Sequence, residues 1–174
     1  MKFWEVIGQL NSESRGKKMD NYYERLNTEC KKIGAVAIKD NSILSDNMLK
    51  KEESEFLLSD WNAFLIALIS DQSVKAEMAW RLPYLLSRRL GHFDLNRMAR
   101  EESVSSLEML IKEKPALHRY PRKMAEYIMS AIEKIENEYG SNAENIWKND
   151  LNAEHIVAKL EEFKGISHKK AALD

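Results

Sequence analysis

The sequence predicts an all-α protein. Three observations carry that expectation. Six Gly and three Pro in 174 residues leave few breaks, and Leu, Ala, Glu, Lys and Met, all good helix formers, are abundant. Apolar residues recur at three- and four-residue spacing in segment after segment. No stretch alternates apolar and polar residues as a half-buried strand would.

The elements follow in order. Phe3, Trp4, Ile7 and Leu10 fall at helical spacing, as do Tyr22, Tyr23, Leu26, Cys30 and Ile33. Residues 34–46 mix Gly34, Asp40, Asn41, Ser42 and Asp46 and read as a loop. Residues 1 to about 45 are therefore expected to form an N-terminal helical extension packed on a main domain of residues 46–174. Asp60 is placed to cap a helix through 61–69, which is apolar nearly all round and so expected at the centre of the fold. Ser70, Asp71, Gln72 and Ser73 end it. The next helix, about 74–90, buries Ala76, Ala79, Trp80, Leu86 and Leu90, is expected to kink or split at Pro83, and stops at Gly91.

Later segments carry stronger signals. Ser105 and Glu108 are spaced as a capping box before Leu107, Leu110 and Ile111. Pro115 and Pro121 bracket a loop. From Arg122 a long helix presents Met124, Tyr127, Ile128, Ala131, Ile132, Ile135 and Tyr139 on one face, and Gly140 ends it. Ser141 and Glu144 suggest another box before Ile146 and Trp147. Ala153, Ile156, Val157, Leu160 and Phe163 form a stripe leading into Gly165.

Composition narrows the function classes. Cys30 is the single cysteine, so an internal disulfide or a multi-cysteine metal or iron–sulfur site within this chain is excluded. His92, His118, His155 and His168 lack ligand spacing, so no metal site is expected. No signal peptide is read at the N-terminus and no apolar run nears the roughly 18 residues of a membrane helix, so a cytoplasmic protein with no membrane contact is expected. The 27 basic and 28 acidic residues give a net charge of −1, so any nucleic-acid surface must come from local clustering. Arg119, Arg122 and Lys123 are such a cluster, read either as phosphate contacts or as a solvated face, with Tyr120 beside them as a candidate for stacking or hydrogen bonding at a DNA strand. Arg88 and Arg89 read as surface charges, Trp80 and Trp147 as core. Glu52, Glu53 and Glu55, interleaved with Lys50, Lys51 and Ser54, read as a mixed helical surface.

The segment 163–172, FKGISHKKAA, runs an amphipathic helix into a glycine, turns, and opens a further helix beside lysines. That is the layout of a helix-hairpin-helix, which holds a phosphate on backbone N–H groups. With 64–72, FLIALISDQ, and 117–125, LHRYPRKMA, in the same order, the chain from about Trp61 to Ala172 resembles the helix-hairpin-helix DNA glycosylase superfamily, whose best-known branch is endonuclease III-like. The resemblance implies a base-excision glycosylase or AP lyase acting on damaged or mispaired bases, with duplex DNA as partner. It implies that Gln72 fills the space left by a flipped base, that Arg119, Tyr120, Arg122 and Lys123 approach the DNA backbone, and that Gly165, Ser167, His168 and Lys170 form the hairpin grip. Lys169 corresponds to the lysine that attacks the sugar C1′ in the bifunctional branch. Lys170, a helix N-terminus and partial burial would each favour its neutral, nucleophilic form. Read by their residues alone, Gln72 is equally a helix-terminal polar group and Lys169 equally a solvated or phosphate-binding lysine.

Two departures limit the expectation. Ser167 stands where the hairpin has its second glycine, and a left-handed backbone there would cost serine roughly 1–2 kcal/mol. The family's catalytic aspartate lies farther downstream than Asp174, as would the cysteines of an iron–sulfur loop, so the fold is expected to be truncated after the hairpin and no cofactor is expected in this chain. Two alternatives stay open: a non-catalytic DNA-binding or regulatory module on the same scaffold, and a helical protein–protein interaction subunit.

Overall fold

The computed structural model describes residues 49–148, 150 and 152–167. The N-terminal extension, Lys169, His168 and Lys170 lie outside the described residues. Among the described residues there are seven α-helices, one short 3₁₀ helix and no strand, so the fold is all-α. The helices are α1 (Lys51–Ser59), α2 (Trp61–Ser70), α3 (Ala76–Leu90), α4 (Leu95–Glu101), α5 (Val104–Lys112), α6 (Pro121–Tyr139) and α7 (Ala153–Glu161), with the 3₁₀ turn Ala143–Ile146 between the last two.

Helix α2 is the axis of the packing. Asp60 caps it, its carboxylate accepting from the N–H groups of Asn62 (2.8 Å) and Ala63 (3.3 Å). Ala63 and every residue from Leu65 to Ser70 are buried. Its Leu65, Ile66, Leu68 and Ile69 join the main cluster with Leu82 and Leu86 of α3, Leu107 and Ile111 of α5, and Met124, Ile128 and Ile132 of α6. A smaller cluster of Leu49, Leu57, Ala63 and Ala67 lies on another face of α2. Burying each Leu or Ile contributes about 1.5–3 kcal/mol, so helices whose own propensity is marginal are held by this shared core.

Several local expectations change. The split at Pro83 does not occur; α3 runs through it as one element. The proline is itself buried, as are Leu82 and Leu86, and burial of that continuous face outweighs the roughly 3 kcal/mol that an interior proline costs a helix. The cap of α5 is Ser103, not Ser105: Ser103 Oγ accepts from Ser106 N–H (3.1 Å) and Ser106 Oγ accepts from Ser103 N–H (2.8 Å). Starting two residues earlier adds Val104 to the face packed on the core. Ser141 cannot be an N-cap, because it follows Gly140 into the left-handed region (φ 64°). Asn142 caps instead, accepting from Glu144 N–H (2.9 Å), and the element that follows is 3₁₀. Asn62 of α2 pins this corner, donating to Ser141 O (3.0 Å) and accepting from Ala143 N–H (2.7 Å).

Two charged side chains expected at the surface are structural. Glu53 is 2% exposed; it accepts from Lys50 N–H (3.0 Å) and pairs with Arg81 (2.9 Å), which satisfies the buried carboxylate. Arg89 donates to the carbonyls of Leu110 and Pro115 (2.7 Å to the latter), so it clamps the end of α5 to the loop that follows. Trp80 and Trp147 are half-buried rather than core; Trp147 meets Trp61 edge to face (5.6 Å) and Trp80 meets Phe64 (5.3 Å).

Candidate nucleic-acid interface

Three segments far apart in sequence meet at one end of α2 and α6. The first is the end of α2. The helix stops at Asp71, Gln72 N–H turns back to Ser70 O (2.7 Å), and Ser73 takes a left-handed backbone (φ 55°). Gln72 is half-buried, and its amide donates to Ile69 O (2.6 Å). In this arrangement the side chain folds back on its own helix instead of projecting from a cleft.

The second segment is the loop 113–120. Leu117 N–H donates to Ile111 O (2.8 Å), and Leu117 is buried. His118 is 2% exposed and joins this loop to the first segment. Tyr120 N–H donates to His118 Nδ1 (3.1 Å), so Nδ1 is an acceptor and the ring proton sits on Nε2, which faces Ser70 O at 3.2 Å. The histidine thus fixes the start of α6 against the end of α2. Sequence reading passed it over because one histidine without a spaced partner resembles any other; its position two residues before the Tyr120-Pro121 helix start was the only cue.

Tyr120 precedes α6 and Pro121 opens it, a favoured place for proline. Tyr120 is 44% exposed, with the Arg119 guanidinium 5.4 Å from its ring centroid. Arg122 pairs with Glu108 of α5 (3.4 Å) and with Glu126 one turn on (3.2 Å). Lys123 is exposed and lies over the Tyr127 ring, 5.4 Å from its centroid. These residues, with Lys112, border an open groove of about 600 Å³. Its lining holds the cations Lys112, Arg119, Arg122 and Lys123 against the carboxylates Glu108 and Glu126, a local surplus of two positive charges on a chain of net charge −1. Lys112, Glu108 and Glu126 were not among the residues the sequence singled out for this site. They come from α5 and from the second turn of α6, and only the packing of the two helices brings them to the groove.

The third segment is the bend after α7. Helix α7 ends at Glu161, and Ile166 N–H donates to Phe163 O (3.0 Å), closing a four-residue turn. Gly165 is its third residue at φ 96°, the position where a turn of this kind requires glycine. Phe163 and Ile166 are buried on either side and anchor the turn to the core. Ser167 is exposed and is not among the described non-glycine residues with positive φ, so it carries no left-handed strain.

Gly165 is where the segments touch. A Cβ added there would lie 2.3 Å from Gln72 Nε2 and 2.7 and 3.0 Å from Tyr127 Cδ2 and Cε2. The close approach that this glycine permits is made by two protein side chains, which seat the turn between the end of α2 and the start of α6. The helix carrying the turn is tied to α6 elsewhere by Lys134, which bonds Glu138 and Glu162 (2.7 Å each). Those bonds push the lysine up to about 12, the Glu138 hydrogen bond contributing most. No described helix is long and apolar enough to cross a membrane. Compared with family models, with curated proteins and with solved structures, the chain matches none.

Proposed function

We propose that this chain is a DNA-binding protein of the base-excision type, resembling the helix-hairpin-helix glycosylases and AP lyases that act on damaged or mispaired bases. The observation that supports the reading most is the meeting of Gln72, Tyr127 and the Gly165 turn at one point, beside the groove of Arg119, Tyr120 and Lys123. Segments chosen from the sequence for separate contacts with one DNA strand are neighbours in space. Electrostatics supports the same reading. Arg122 and Lys123 stand in the first turn of α6, which has no acidic residue. A helix N-terminus disfavours cations by roughly 0.3–1 kcal/mol each. A phosphate bound there would offset both the cations and the helix's free N–H groups.

In this reading Arg119, Lys123 and the 163–167 turn hold the backbone. Gln72 gives up its bond to Ile69 O and enters the stack where a base has left it. Lys169 attacks the sugar C1′ as the base departs. Borohydride reduction with a duplex containing an abasic site tests the chemistry. A covalent protein–DNA adduct that disappears in Lys169→Gln supports the lyase. Salt-sensitive duplex binding without an adduct leaves the non-catalytic DNA-binding module. Absence of binding at low salt refutes the DNA reading and leaves the protein-interaction subunit.

A further inference from the structure

We infer that Tyr127 is a positioning residue, which holds Lys123 and the Gly165 turn in one register so that both engage a single sugar–phosphate strand together. This rests on the DNA-binding reading and adds to it a residue that spacing alone assigns to the core.

Tyr127 falls on the apolar stripe of α6 with Met124 and Ile128, but those two are fully buried and Tyr127 is half-buried. Its ring has two neighbours of different kinds. One edge, Cδ2 and Cε2, abuts the backbone of Gly165, close enough that a Cβ there would overlap it. Its face carries the Lys123 ammonium, one helical turn earlier. Among the described residues no carboxylate lies within ion-pair distance of Lys123, whereas the neighbouring Arg122 has Glu108 and Glu126. Lys123 is therefore the cation of α6's first turn whose charge is left for a ligand, and the aromatic face restrains where that charge sits. The turn, for its part, is closed on itself by the Ile166–Phe163 bond. Lys123 and the turn thus share one ring as a common support. A rigid ring between an ammonium and a glycine backbone fixes their separation, as two grips on successive parts of one polyanionic strand require.

The test uses the full chain and a fluorescent duplex with a central abasic site, with affinity followed across a salt series. Each phosphate contact contributes about 0.9 to the slope of log K against log salt. Tyr127→Ala is expected to weaken binding about tenfold at low salt and to lower the slope by about one contact. Tyr127→Phe keeps the face and the edge and should match the wild type. Tyr127→Leu keeps an apolar support for Gly165 without a π face; it should lose the same increment of slope with little loss of thermal stability, and it serves where the alanine variant does not fold. Lys123→Gln should lower the slope equally, and adding Tyr127→Leu to it should lower it no further. A Tyr127→Leu protein that melts lower yet keeps the wild-type slope would show a core residue and overturn the inference while leaving DNA binding intact. A wild-type chain that fails to bind the duplex at all overturns the DNA reading and this inference with it.

Discussion

Replacing Gly165 with alanine tests the arrangement on which the interface depends. Two costs can be worked out separately. The backbone there sits at φ 96°, outside the range an L side chain accepts readily, which costs roughly 1–2 kcal/mol. The new methyl would also overlap Gln72 Nε2 and the Tyr127 ring. Gln72 is the end of a flexible side chain and can withdraw, giving up its bond to Ile69 O at about 1 kcal/mol. The Tyr127 ring sits between Lys123 and the turn, so displacing it disturbs its contacts with both. Together these effects predict a destabilisation of about 2–4 kcal/mol, or a melting temperature lower by roughly 5–15 °C for a chain of this size. Urea unfolding followed by circular dichroism gives the free energy directly. Repeating Gly165→Ala in a Tyr127→Ala background isolates the steric part, since the backbone cost survives and the ring overlap does not. The expected coupling is about 1 kcal/mol. A Gly165→Ala protein within about 0.5 kcal/mol of wild type, the scatter of ordinary surface changes, would refute the seated turn. An identical cost in both backgrounds would refute the role of the ring.

The remaining predictions probe the parts that hold this arrangement. Lys123→Glu replaces a cation with an anion at the start of α6; the dipole gain of about 0.3–1 kcal/mol and the lost cation–π contact of about 0.5–1 kcal/mol offset each other, so stability should change by less than about 1 kcal/mol while duplex binding weakens more than in Lys123→Gln, read by thermal melting and by titration. His118→Ala removes a buried ring and leaves Tyr120 N–H and Ser70 O without that partner; it should cost about 2–4 kcal/mol in urea unfolding, and a cost under about 1 kcal/mol would contradict the link between α2 and α6. Lys134 is raised from 10.5 to about 12, so its contribution is complete below 10.5 and is lost as pH rises through 12. Its partner carboxylates are about half exposed, so solvent screening holds the effect to about 1 kcal/mol, and Lys134→Met should flatten the alkaline limb of melting temperature against pH. At the other end, the Lys159 hydrogen bond holds Asp150 below its ordinary 3.8, so that pair stabilises the fold above 3.8 and is lost as pH falls further; Asp150→Asn should shallow the acid limb.

Much of the described fold was legible because its signals are local. The Asp60 cap, the apolar circumference of 61–69, the stops at Gly91 and Gly140 and the long stripe of α6 each depend on residues a few positions apart. Errors arose where a nonlocal partner decided the outcome. The helix is not split at Pro83, because the face it lies on is buried by other helices and no local rule includes them. Glu53 looked like one member of an exposed acidic run until Arg81, 28 residues away, supplied its counter-charge. The 103–108 stretch offers several serines and a glutamate at capping spacing, and tertiary packing of Val104 selected the earlier one. At the candidate interface, the cations and the glycine were visible from type and spacing. That Gln72 and Tyr127 would close on Gly165 was not, since three separate segments have to fold together before that contact exists.

The charges at the start of α6 bear on the proposed binding surface. The macrodipole favours Asp or Glu in a helix's first turn; α6 has neither there, as α2, α4 and α5 have none, although Glu108 and Glu126 lie nearby. Instead the turn holds two cations, and the protein spends both carboxylates on Arg122 alone. Lys123 is left over an aromatic face, which restrains a cation without neutralising it. That contact by itself contributes about 0.5–1 kcal/mol at an exposed site. A surface that meets a polyanion gains twice, since the ordering cost of the side chain is already met in the fold and counterions leave the nucleic acid on contact. Under the proposed reading, an anionic strand would supply the partner that the described carboxylates do not give Lys123.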